Sequence, residues 1–101
     1  MKPSRIAHST LGILREQIDL IDFAIIGLIA RRLAVAGKIG TLKKKLNIKI
    51  KDLKRERKVQ KLHKKWSKKQ RMDFATVEKI FKLIMVESQR IQKSMSGKKH
   101  H

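Results

Sequence analysis

Apolar residues return at intervals of three and four from Leu14 to Leu42, and nothing interrupts the series. It runs Leu14, Ile18, Ile21, Ile25, Leu28, then position 32, then Val35, Ile39 and Leu42. With 3.6 residues to a turn, such spacing lays one apolar stripe along a single long helix. Ser9 or Thr10 can cap its N-terminus. A helix over residues 10–43 would run about 50 Å at 1.5 Å per residue, whereas a compact chain of this size has a radius of gyration of about 13 Å. Two shorter helices of the same chain cannot cover a stripe of that length. The seam asks for a second copy, and a closed two-fold dimer is the commonest way to supply one. Gly27, Gly37 and Gly40 each cost the helix about 1 kcal/mol against alanine. Small residues there leave room for a neighbouring helix or a ligand.

Residues 44–51 break the pattern, with Asn47 as the expected turn residue. Asp52 then opens a second helix, where a carboxylate suits the positive helix end. The seam of that helix is position 55, Val59, Leu62 and Trp66, and a polar stretch over residues 67–72 is expected to end it. Asp73 caps a third helix with apolar positions at Val77, Ile80, Phe81, Ile84, Met85 and Ile91. No segment alternates with period two. The expected class is all-α, with one long and two shorter helices per chain in an intertwined helical homodimer. Residues 1–10 are expected as a lead-in, 11–94 as one domain and 95–101 as a frayed tail resembling a tag remnant.

Composition narrows the chemistry. The 101 residues hold no cysteine, which excludes disulfides and thiolate catalysis. No apolar run approaches the roughly 18 residues of a membrane span. The first residues lack the charged-then-apolar order of a secretory signal, so the cytoplasm is the expected compartment. The net charge is +19. That excess fits a lysine-rich solvated surface as readily as an anionic partner.

Placement of the charge is more informative than its amount. The unnamed seam positions are Arg32 and Arg55, and in the third helix Ser88 continues the line of Phe81 and Ile84, with Gln92 one turn beyond. A buried arginine without a partner is very costly, so cations on apolar seams call for an anion. Arg32 and Lys43 are three turns apart and share a face. Asp52 with Arg55 or Glu56, and Ser88 with Gln92, stand at the spacings of neighbouring side chains on a helix. One cavity could thus collect cations from two helices, a hydroxyl and an amide. Arg15 lies about 25 Å before Arg32 on the same helix and about 100° around it. It could reach that cavity only from the other subunit of an antiparallel dimer. Taken singly, each has a plainer explanation: Arg32 as a snorkelling rim residue, Arg15, Lys43 and Arg55 as solvated surface, Ser88 bonded back to its own helix.

Taken together, these residues resemble the all-α chorismate mutases. Leu14-Arg15-Glu16-Gln17-Ile18-Asp19, Arg32 before Leu33-Ala34-Val35, and Lys43 after Gly40 resemble that family's first helix. Asp52-Leu53-Lys54-Arg55-Glu56-Arg57 resembles the start of its second helix, and Glu87-Ser88-Gln89-Arg90-Ile91-Gln92 resembles its third. The pattern is most similar to mutase domains fused to prephenate dehydratase. The resemblance implies an intramolecular Claisen rearrangement of chorismate to prephenate, in phenylalanine and tyrosine biosynthesis, without cofactor or metal. It implies that Arg32, Arg55 and Ser88, with Arg15 from the other subunit, grip the two carboxylates. Lys43 would reach a carboxylate and the ether oxygen, Gln92 the ether oxygen from the other side, and Glu56 with the region of Asp52 the ring hydroxyl. Lys43, Gln92 and Arg32 are the expected catalytic groups.

Isochorismate–pyruvate lyase, a sister activity on the same fold, is the nearest alternative, and the Ser88 and Gln92 pair with the full second-helix motif favours the mutase. A basic nucleic-acid-binding helical dimer is another. Against it, the best-placed cations sit on apolar seams, aromatics are few, and no recognition-helix or zinc motif is present. A third is a decayed or designed member that keeps the fold and turns over poorly. The expected partners are chorismate and a second copy of the chain, not a membrane and not nucleic acid.

Overall fold

A computed structural model describes residues 5–97. It contains α1 (Arg5–Lys45), α2 (Leu53–Lys69) and α3 (Phe74–Gly97), and no strand among the described residues. Residues 98–101 of the expected tail lie outside the described residues, while residues 95–97 belong to α3. The chain falls into two units that divide after Arg31.

In the first unit α1 begins at Arg5, five positions before the expected start. Ser9 and Thr10 are therefore interior helix residues and not caps. The Thr10 hydroxyl donates to the Ile6 carbonyl at 2.8 Å, the back-bonding that lets threonine sit inside a helix. Apolar side chains of this unit are exposed within the chain, including Leu14, Ile18, Ile21, Ile25 and Leu28 from the seam.

The second unit holds the end of α1 together with α2 and α3. Its packing face on α1 is not the apolar seam, since Val35, Ile39 and Leu42 stay exposed within the chain. Ala36, Gly37 and Gly40 are buried in their place. At Gly40 a Cβ would stand 2.7 Å from the Gln92 Cα and 2.8 Å from its carbonyl oxygen, so only glycine admits the α3 backbone at this distance. A Cβ at Gly37 would meet Ile91 and Met95 at 3.6 and 3.7 Å, ordinary contact. On α2, Val59 is buried and Leu62 half-buried, but Trp66 of the expected seam is about half exposed. The inward line moves to His63 and Ser67, each one residue after the expected seam position. The His63 ring lies 4.2 Å from the Phe81 ring, and the buried Ser67 hydroxyl is satisfied by donating to the His63 carbonyl. That bond lets α2 run through Ser67 to Lys69, past the expected end.

Both connections close with the same device. Asn47, at φ 56°, ends α1: its N–H bonds the Lys44 carbonyl and the next N–H, of Ile48, bonds that of Lys43. Arg71, at φ 57°, ends α2 in the same way, with Arg71 N–H to Lys68 and Met72 N–H to Ser67. These are left-handed caps that satisfy the last carbonyls of a helix. Asp52 caps α2 by accepting from the Arg55 N–H at 3.0 Å, and Asp73 caps α3 by accepting from the N–H and hydroxyl of Thr76.

Candidate active site

A cavity of about 370 Å³ opens within the second unit. Seven of the eight positions singled out in the sequence line it: Arg32 and Lys43 from α1, Asp52, Arg55 and Glu56 from the start of α2, and Ser88 and Gln92 from α3. Arg15 does not line it. Val35, Ala36, Ile39, Ile50, Val59 and Met85 supply apolar wall, and Gln89 adds an amide.

Arg32, Lys43, Asp52, Glu56 and Ser88 are each held by a definable contact. Arg32 Nη1 donates to Ser88 Oγ at 2.8 Å, and that hydroxyl donates onward to the Ile84 carbonyl at 2.9 Å. Ser88 is thus bonded back to its own helix and also serves as acceptor for the guanidinium. The Arg32 guanidinium carbon also stands 5.8 Å from the centre of the Phe81 ring, within range for a cation over an aromatic face. Lys43 Nζ donates to the Ile50 carbonyl at 2.7 Å, which ties the ammonium to the connection between α1 and α2. Glu56 is shared between Lys51, at 3.4 Å, and Gln89 Nε2, also at 3.4 Å. Asp52 spends one carboxylate oxygen on the helix cap. Arg55 is exposed within the chain, although it lines the cavity, so its side chain does not point into a core as the seam pattern suggested.

Electrostatics sets this cavity apart from a surface cleft. Burial, and then the neighbouring Arg55, pushes the Arg32 guanidinium below its ordinary value. Guanidinium remains charged in proteins regardless, so an anion beside Arg32 and Arg55 would offset the repulsion between them. His63, behind the cavity on α2, is pushed below the usual histidine value by burial first, and then by Arg32 and Arg55. The Gln92 side-chain oxygen is buried and has no hydrogen-bond partner. Buried amides are nearly always bonded, and this one stands on the cavity wall, where a polar group of a guest or a water can meet it. Among the described residues no cluster of His, Asp and Glu is placed to hold a metal ion.

Sequence pattern passed over Gln89. It stands four residues after Met85 and three before Gln92, so helical spacing alone puts it on the cavity face. A guest taken here would meet guanidinium and ammonium groups, amides and an apolar wall, a lining suited to a small anion.

Residues 14–93 match the family model described as chorismate mutase type II. No curated protein and no solved structure matches the chain. The matched stretch is most of the chain and includes every polar residue of the cavity, and on that ground the protein belongs to the chorismate mutase type II family.

Proposed function

We propose that the cavity lined by Arg32, Lys43, Arg55, Ser88 and Gln92 is where this chorismate mutase rearranges chorismate to prephenate. One observation carries the assignment: three cations, a hydroxyl and an unpaired buried amide oxygen line a single cavity built from all three helices. The reaction forms a carbon–carbon bond and breaks the ether carbon–oxygen bond within one molecule. It needs no proton transfer and no nucleophile. What remains for the protein is to hold the compact conformer and to stabilise negative charge growing on the ether oxygen. Arg32 and Arg55 suit planar carboxylates, and Ser88 holds Arg32 in position. Lys43 places a compact charge where the ether oxygen develops its own. A half-turn of the Gln92 amide presents its NH₂ to the same oxygen. Glu56 and the Asp52 region would take the ring hydroxyl. The family match favours this reaction over the sister lyase.

The active unit in this proposal is a homodimer, with Arg15 of one subunit completing the cavity of the other. Support comes from the apolar seam, which stays exposed within the chain along both units, from Leu14 to Leu42. The proposal also keeps the likeness to mutase domains of bifunctional dehydratases, and a cytoplasmic setting. No helix among the described residues is long and apolar enough to cross a membrane.

Mixing two inactive variants tests site and dimer together. Arg15→Ala and Arg32→Ala each lose prephenate formation, and subunit exchange restores part of it, because one hybrid cavity keeps both arginines. Exchange confirmed by mass with no recovered activity would rule out a site shared between subunits.

A further inference from the structure

The cavity uses few of the 27 lysines and arginines. On α2 the rest are ordered. Lys54, Lys58, Lys61, Lys65 and Lys68 follow one another at spacings of four and three, so at 100° per residue they fall within about 40° of a common line. Arg57, Lys64 and Lys69 flank that line, and all eight are exposed. The opposite side of the helix carries Glu56, Val59, His63 and Ser67, which face the cavity or α3. The basic arc therefore points away from both. It contains no carboxylate, and the ion pairs among the described residues are Lys51 with Glu56 and Arg90 with Glu87, neither of which involves the arc.

A solvated helix face ordinarily mixes signs, because like charges three and four residues apart destabilise a helix. The helix dipole accounts for Lys68 and Lys69 in the last turn, where cations are favoured. It works against Lys54 in the first turn. Among the described residues only Asp52 borders the arc, at its first turn, and no ion pair neutralises any of its cations, so an external polyanion is its natural complement.

We propose that the outer face of α2 is a second anion-binding surface, separate from the substrate cavity, that docks a nucleic-acid duplex through its phosphates. The arc runs about 22 Å along the helix at 1.5 Å per residue, long enough to meet several phosphates of a backbone carrying one charge per roughly 1.7 Å of duplex axis. It contains no aromatic side chain on which unpaired bases could stack, which separates it from single-strand platforms. It contains no apolar residue that could enter a bilayer, which separates it from interfacial helices. Its side chains are nearly all lysines, which meet phosphates as point charges, so the binding proposed is to the backbone rather than to a base sequence. The surface is additional to the mutase site and leaves that assignment untouched. Scarce aromatics and the lack of a base-reading motif weigh against sequence-specific or single-strand binding, not against a face that meets only duplex phosphates.

The test is fluorescence anisotropy of the full chain with a labelled 24-base-pair duplex of mixed sequence, across a salt series. One variant carries Lys→Gln at Lys54, Lys58, Lys61, Lys65 and Lys68. A second removes the same charge at the exposed Lys44, Lys45, Lys49, Lys79 and Lys82. The first should lose at least about thirtyfold in affinity near 0.1 M salt, with the salt slope shallower by about three to four, the scale for losing four or so phosphate contacts. The second should lose less than about threefold, and Lys→Arg at the first five positions should bind like the parent. Prephenate formation should be unchanged in all three, which also shows that each is folded. Equal losses in the two Gln variants would overturn the proposal, because net charge alone would then explain binding. Tighter binding to the matching single strand, or to phosphatidylglycerol vesicles, would overturn it in favour of those partners.

Discussion

Helix α1 crosses two regions with the same apolar spacing and opposite fates. Over residues 5–31 the helix displays an apolar stripe and buries none of it within the chain. Over residues 32–45 the stripe is interrupted by Arg32 and ended by Lys43, and an adjacent face of Ala36, Gly37 and Gly40 packs closely on α3. Periodicity makes both regions helical, but it is the departures from periodicity that distinguish them. Large apolar residues mark a face left exposed within the chain. Small residues mark the face that packs within the chain, and charged residues on the seam mark the cavity.

The sharpest way to break this contrast is to compare adjacent arginines at the boundary. Arg31 is exposed, while Arg32 is half-buried, bonded to Ser88 and on the cavity wall. Arg32→Ala should lower kcat/KM for chorismate by at least about a hundredfold, the scale of losing one transition-state donor. Lys43→Ala should fall as far, and Arg31→Ala should stay within a few-fold of the parent. Near-normal turnover in Arg32→Ala would move the chemistry out of this cavity.

Two glycines supply the next comparison. A Cβ at Gly27, in the first region, has nothing within 4 Å in the chain, whereas one at Gly40 runs into the backbone of Gln92. Gly27→Ala should gain helix propensity worth up to about 1 kcal/mol. Gly40→Ala gains the same propensity but forces α3 away, at an overpacking cost of about 1–3 kcal/mol. The loss wins, because a backbone cannot rotate aside as a side chain can. Chemical denaturation should therefore rank Gly27→Ala above the parent and Gly40→Ala below it, and the second variant should also lose activity as Gln92 is displaced. A destabilised Gly27→Ala would instead place a second copy of the chain against that glycine.

Much of this organisation is legible in the residue pattern, and the exceptions have physical causes. Asn47, Asp52 and Asp73 announce the helix ends because their side chains favour left-handed or capping conformations. Arg71 adopts the same left-handed cap as Asn47 without any such preference, so its turn was hidden in a stretch that reads only as polar. Ser67 looked like a breaker and is an inward-facing helix residue, since a hydroxyl can satisfy itself on the preceding turn. Trp66 looked like core and is half exposed, because periodicity resolves a face to about one residue and His63 with Ser67 takes the place beside α3. The polar positions Arg32, Arg55, Ser88 and Gln92 stood out as interruptions of apolar seams. Gln89 did not, as it interrupts nothing. Which of Gly27, Gly37 and Gly40 meets another helix closely could not be read from spacing, which places residues on a face without naming what covers it.

The smallest effect expected reports on the cavity from behind. His63 is pushed below the ordinary histidine value of about 6.5 by burial, then by Arg32 and Arg55. The folded protein therefore holds this proton less tightly than the unfolded chain. The resulting stability is present above the unfolded value, declines as pH falls through it, and levels off below the folded value. His63→Leu should flatten that slope. A non-reacting dianionic analogue of chorismate placed beside Arg32 and Arg55 offsets their field, so the His63 midpoint, followed by its ring-proton NMR signal, should rise by a fraction of a unit. It should stay below the ordinary value, because burial is the larger cause and the ligand leaves it in place. A midpoint that does not move at saturating analogue would mean that the anion binds away from both arginines, and the cavity would lose its claim as the site.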